Sequence, residues 1–123
     1  SVYNYGNMSR DFTFISDIVE GTFLCALKPP IKNEILDKSI KSVPNKIFNI
    51  GYGKPVKLEY FIELLEDALS IKAIKKYEPI QSGDVEKTFA STNKIEDWLD
   101  YKPKINIEKG VKNFAEWFIN YYS

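Results

Sequence analysis

Ser9-Arg10-Asp11-Phe12-Thr13-Phe14-Ile15-Ser16-Asp17-Ile18-Val19-Glu20-Gly21 is the stretch that decides the fold. Phe12 and Phe14 alternate with Asp11 and Thr13, the period of a strand with one buried face. At Ser16 the pattern changes. Ser16 suits an N-cap, Asp17 and Glu20 put negative charge where the helix dipole favours it, and Ile18, Val19, Thr22, Phe23 and Ala26 continue as an apolar stripe. The stretch therefore reads as a strand that turns directly into a helix over about Asp17 to Leu27, with Arg10 at the strand's mouth. Taken alone, an arginine there is most simply a solvated surface charge.

Outward from this stretch, Val2 to Tyr5 reads as a strand and Gly6-Asn7 as a turn. Pro29-Pro30 stops the first helix. Ile31 to Asn45 mixes charged residues with isolated Ile and Leu and reads as a surface excursion. Lys46 to Ile50 reads as a strand ending at Gly51-Tyr52-Gly53. These glycines do not make a phosphate loop. Phe48 and Pro55 stand where that motif needs a glycine and a Ser or Thr, and no third glycine completes a dinucleotide fingerprint. They read instead as turn residues. A helix over about Leu58 to Leu69 buries Leu58, Phe61, Ile62, Leu65 and Leu69. Ile74 to Pro79 reads as an edge strand and Gln81 to Lys87 as a polar loop. Thr92 caps a short helix through Trp98, and a last helix over about Ile107 to Tyr122 turns Val111, Phe114, Ala115, Phe118 and Tyr121 inward, with Trp117 near that face. This is one α/β domain spanning residues 1–123.

Composition narrows the function. The 17 basic and 17 acidic residues cancel without a basic block, which argues against a nucleic-acid partner. No apolar run approaches the ~20 residues of a membrane span. With no histidine, Ser-His and Cys-His pairs and histidine metal sites are excluded. Cys25, the single cysteine, cannot form an internal disulfide and reads as a small buried hydrophobe, in keeping with a reducing cytosol. The chain has no initiator methionine and opens inside an apparent strand, so it is expected to be a piece of something longer.

Four blocks in order carry a family resemblance: Arg10-Asp11-Phe12-Thr13-Phe14-Ile15-Ser16-Asp17-Ile18-Val19, Asn49-Ile50-Gly51 with Pro55-Val56, Gln81-Ser82-Gly83-Asp84-Val85 running on to Thr92, and Tyr101-Lys102-Pro103 to Trp117-Phe118. Together they resemble the nucleotide-sugar epimerases of the extended short-chain dehydrogenase/reductase superfamily, most of all the UDP-glucuronate 4-epimerases, over almost the whole chain. The resemblance implies a small mixed α/β substrate-binding lobe whose Rossmann half, with its glycine-rich turn and Tyr-x-x-x-Lys catalytic pair, is absent. No tyrosine here precedes a lysine by four. The expected ligand is a UDP-sugar. NAD is the expected cofactor of the full-length enzyme, with none bound by this piece.

Such a ligand needs a cation for its diphosphate, an acid for its ribose and apolar walls. Arg10 supplies a planar fork, Asp84 an acceptor on the Gly83 turn, and Val56 an apolar surface. The resemblance implies the same roles: Arg10 on phosphate, Val56 as wall, Asp84 holding the uridine. Gln81 falls where many relatives carry a second phosphate-binding arginine, and Thr88 borders the sugar-nucleotide site. No catalytic or metal-binding residue is assigned. Ser9, Ser16 and Ser91 depart from the family's pattern, the first replacing an arginine and the others acids. A dehydratase or decarboxylase of the same superfamily, and a stand-alone binding module, are the competing readings. An isolated lobe is also expected to carry an apolar wall that belongs to the missing half, and to hide it by self-association or lose stability.

Overall fold

The computed structural model describes residues 1–31 and 44–123 of the chain. It is a small mixed α/β structure in which two very short strands hold four helices together: β1 (Ser9–Arg10), α1 (Ile15–Leu27), β2 (Val56–Lys57), α2 (Leu58–Leu69), α3 (Asn93–Leu99) and α4 (Ile107–Tyr122). β1 and β2 are antiparallel, with Ser9 opposite Lys57 and Arg10 opposite Val56. On its other edge β1 meets the segment around Lys87 in a parallel bridge from Ser9. The Ser9 amide donates to Glu86 O at 2.8 Å and the Thr88 amide donates to Ser9 O at 3.1 Å. Two residues of strand thus join three distant parts of the chain.

The rest of the expected strand, Asp11 to Phe14, enters no ladder. Side chains tie it down instead. The Asp11 amide donates to Thr88 Oγ1 at 3.1 Å, and Thr13 Oγ1 accepts from the Tyr52 amide at 3.1 Å. α1 starts at Ile15 with Phe14 as N-cap, so Ser16 lies inside the first turn rather than capping it. Asp17 is 2% exposed. Its carboxylate accepts from the Lys104 and Ile105 amides, and its carbonyl accepts from the Tyr101 hydroxyl at 2.5 Å. A residue expected to serve the helix dipole also anchors the entry to α4. Burial pushes the Tyr101 hydroxyl up to about 12, with the nearby Asp17 and Glu20 charges adding to it.

α2 and α4 match their expected ranges and pack on each other. Phe61 of α2 stacks on Phe12 with ring centroids 4.3 Å apart. α4 is capped by Asn106, whose side chain accepts from the Lys109 amide. Thr92 precedes α3 as expected, but its hydroxyl donates to Glu96 rather than accepting from the helix backbone.

Further expectations change. Val2 makes only a single bridge to Tyr77, and Tyr3–Gly6 is a 3-10 turn with Asn4 and Tyr5 at positive φ. The Asn4 side chain steadies it by donating to Asn7 O at 2.9 Å. Residues 46–50 and 74–79 run without forming strands; the second makes one bridge at Tyr77, with the Val2 and Tyr5 amides donating to Lys76 O and Glu78 O beside it. In α1 the buried side is Asp17 and Gly21, with Tyr101 and Ile50 against Gly21. Ile15, Val19, Phe23 and Leu27, each four residues apart, are 59–65% exposed. In α4 Val111 and Ala115 are buried, whereas Phe114, Trp117, Phe118 and Tyr121 are exposed. Most of the Ile31 to Asn45 excursion, residues 32–43, lies outside the described residues.

Candidate functional site

The two edges of β1 bring the expected site residues together. Val56 lies opposite Arg10 across one edge, so the two share a face of the ribbon. On the other edge the Lys87 bridge sets Thr88 beside Arg10. Asp84 reaches the same place from its turn: Arg10 Nη2 is 2.8 Å from Asp84 Oδ1. The turn itself is closed by the Asp84 amide donating to Gln81 O at 3.1 Å, with Gly83 at φ 85°, a conformation in which a Cβ would be strained. Arg10, Val56, Asp84 and Thr88 therefore meet at one strand. Gln81 stands one turn away, exposed, and joins the group through its backbone carbonyl alone.

Arg10 is held on several sides. Its Nη1 donates to Ser9 O at 3.0 Å and to Glu86 O at 3.2 Å, and its Nη2 also approaches Met8 Sδ at 3.9 Å. The side chain remains 24% exposed, and that of Asp84 32%. Val56 opens on a hollow of about 270 Å³ lined by Phe12, Tyr52, Lys54 and Glu108. There the Tyr60 hydroxyl donates to Glu108 at 2.7 Å, which holds the Glu108 carboxyl below the usual carboxylate range and raises the Tyr60 hydroxyl. Thr88 opens on a second hollow, about 410 Å³, with Asp11, Thr13, Asn49 and Phe89 among its walls. Among the described residues no group of three or more His, Cys, Asp or Glu could hold a metal ion.

Two residues that sequence reasoning missed matter here. Asp11 ties the site's loops together: its carboxylate accepts from the Gly53 amide at 3.0 Å and from the Ala90 amide at 3.0 Å. Gly51 permits this closeness, since a Cβ there would lie 2.5 Å from the Ala90 Cβ and 3.2 Å from Asp11 Oδ2. Lys54 brings a cation to the wall of the Val56 hollow. The available signal was position, Asp11 next to Arg10 and Lys54 two residues before Val56. Neither spacing reveals a partner far away in sequence.

No protein-family model matches the chain. Individual relatives do. A probable UDP-glucuronate 4-epimerase of Rhizobium meliloti is 37% identical over 127 residues, covering 98% of this chain and 37% of that protein. Over almost its whole length the chain is similar to the C-terminal part of nucleotide-sugar epimerases of the extended short-chain dehydrogenase/reductase superfamily. An uncharacterised Methanocaldococcus jannaschii protein is 52% identical over 118 residues, 96% of this chain and 32% of that one. The UDP-glucuronic acid 4-epimerase of Bacillus cereus, solved with UDP-glucuronic acid and NAD, superposes with a TM-score of 0.76 at 25% identity, covering 98% of this chain and 35% of that one. The chain spans about a third of the length of the relatives it matches, and its fold is that of the C-terminal part of such epimerases.

Proposed function

We propose that the chain is the nucleotide-sugar-binding domain, residues 1–123, of an NAD-dependent epimerase that acts at C4 of a UDP-hexose or UDP-hexuronate such as UDP-glucuronate. The observation that carries this reading is the convergence on β1 of a guanidinium, a carboxylate and an apolar side chain from three separate segments, Arg10, Asp84 and Val56. Arg10 takes phosphate oxygens, Asp84 accepts from a ribose hydroxyl and Val56 lies along the ligand's apolar surface. Thr88 borders the sugar-nucleotide, and the Gln81 amide supplies a neutral second phosphate contact. The names of the Rhizobium and Bacillus relatives support the substrate class.

The residues present do not fit NAD: the sequence has neither the glycine fingerprint nor the Tyr-x-x-x-Lys pair. NAD and the oxidation and reduction it supplies belong to the rest of a longer enzyme, a Rossmann half that precedes this domain, and the domain alone is inactive. The same half covers the exposed faces of α1 and α4. α1 is apolar nearly all round, as a helix packed on both sides is, and α4 exposes Phe114, Trp117 and Phe118; relatives about three times as long have chain enough to cover both. The cytosol suits such an enzyme.

The test is an incubation of the longer protein with UDP-glucuronate and NAD, followed by NMR of the sugar. Appearance of the C4 epimer, UDP-galacturonate, is the expected result. Loss of carbon dioxide or water from the sugar would reassign the enzyme to a decarboxylase or dehydratase, and no turnover of any UDP-sugar would overturn the reading.

A further inference from the structure

The contacts of Arg10 are unequal. Two are backbone carbonyls, Ser9 O and Glu86 O, fixed by the β1 ladder, and one is a long approach to the Met8 sulfur. The fourth is the Asp84 carboxylate, on a turn whose residues are exposed. An incoming phosphate that takes the terminal nitrogens must displace a partner, and Asp84 is the charged one that can move. Its release strands nothing. Asp84 Oδ1 keeps the Val85 amide, 2.8 Å away, and both side chains of the pair reach solvent. An ion pair this exposed is worth little, so a diphosphate, with one negative charge on each of its two phosphates, can outcompete it.

We propose that Asp84 competes with the ligand's phosphate for the Arg10 fork, so that binding exchanges this ion pair for a phosphate contact and frees the carboxylate for a ribose hydroxyl. The inference rests on the nucleotide-sugar reading above. It makes Asp84 a positioning residue with opposite effects on two parts of one ligand: it opposes the phosphate and favours the nucleoside.

The two parts can be probed separately in the longer protein, with inorganic pyrophosphate and with uridine, each displacing UDP. Asn in place of Asp84 keeps an acceptor for the Val85 amide and removes the charge. Asp84→Asn is expected to tighten pyrophosphate about two- to fivefold, the equivalent of an exposed ion pair, and to weaken uridine. A merely structural Asp84 would weaken both ligands together. Pyrophosphate binding that is unchanged, weaker or undetectable in Asp84→Asn overturns the competition. Arg10→Ala separates the two levels. If it weakens pyrophosphate while Asp84→Asn fails to tighten it, only the competition falls; if it leaves pyrophosphate unaffected, the phosphate assignment falls with it.

Discussion

Replacing Asp11 should unfasten the site without touching Arg10. Its carboxylate receives two backbone amides, Gly53 at 3.0 Å and Ala90 at 3.0 Å, from loops that also approach each other at Gly51, where a Cβ would lie 2.5 Å from the Ala90 Cβ. A hydrogen bond to a charged group contributes roughly 1.5–3 kcal/mol, and an unpaired amide left behind costs part of its desolvation. Asp11→Ala removes both bonds and should destabilise the chain by about 3–5 kcal/mol, a large part of the 5–15 kcal/mol typical of a domain. Asp11→Asn keeps one carbonyl oxygen. The oxygen in the Oδ2 position accepts from both amides, so the amide variant should lose only about 1–2 kcal/mol. Urea unfolding followed by tryptophan fluorescence gives the total, and hydrogen exchange at Gly53 and Ala90 gives the local effect. Both amides should exchange faster in Asp11→Ala. A variant within 1 kcal/mol of wild type, with unchanged exchange at Gly53 and Ala90, would refute the stapling role.

The 123-residue chain on its own should self-associate through the Ile15, Val19, Phe23 and Leu27 stripe, each residue 59–65% exposed. Sedimentation across a concentration series should show mass rising with concentration and Phe23→Glu should suppress the rise; a wild-type monomer at every concentration that binds no hydrophobic dye contradicts this. Tyr101 should make stability fall in alkali. Its hydroxyl ionises only near pH 12 in the folded chain but near 10.0 when unfolded, so the stability its proton provides is full below about pH 10 and lost as pH rises toward 12. Tyr101→Phe should be roughly 1–2 kcal/mol less stable at neutral pH, through the lost bond to Asp17 O, and that deficit should narrow above pH 10; a deficit independent of pH rules out the burial argument.

The helices were legible because α2 and α4 show a 3.6-residue period with polar opposite faces, and Asn106 and Pro29-Pro30 mark boundaries in the sequence itself. α1 was legible in extent but not in orientation. It is apolar nearly all round, so periodicity could not choose between the Gly21 side and the Val19 side, and burial went to the side that Tyr101 and Ile50 cover. The strands misread for a different reason. The residues from Asp11 to Phe14 and from Lys46 to Ile50 suit a strand by type, whereas a ladder needs a partner, and side-chain oxygens such as Thr13 Oγ1 took that place. For the site, Arg10, Val56, Asp84 and Thr88 were found through the family's blocks, because only the fold reveals that segments over seventy residues apart share one strand. The Arg10–Asp84 pairing itself was invisible: the two were read as separate contacts to one ligand, and they contact each other.

The most direct measurement is a calorimetric titration of UDP into the longer protein and its Arg10→Ala variant, with circular dichroism confirming that the variant is folded. If β1 is where the diphosphate binds, loss of a charge-assisted contact worth roughly 1.5–3 kcal/mol should weaken UDP about ten- to a hundredfold while NAD affinity stays as it was. A folded Arg10→Ala protein that binds UDP as tightly as wild type would contradict the account.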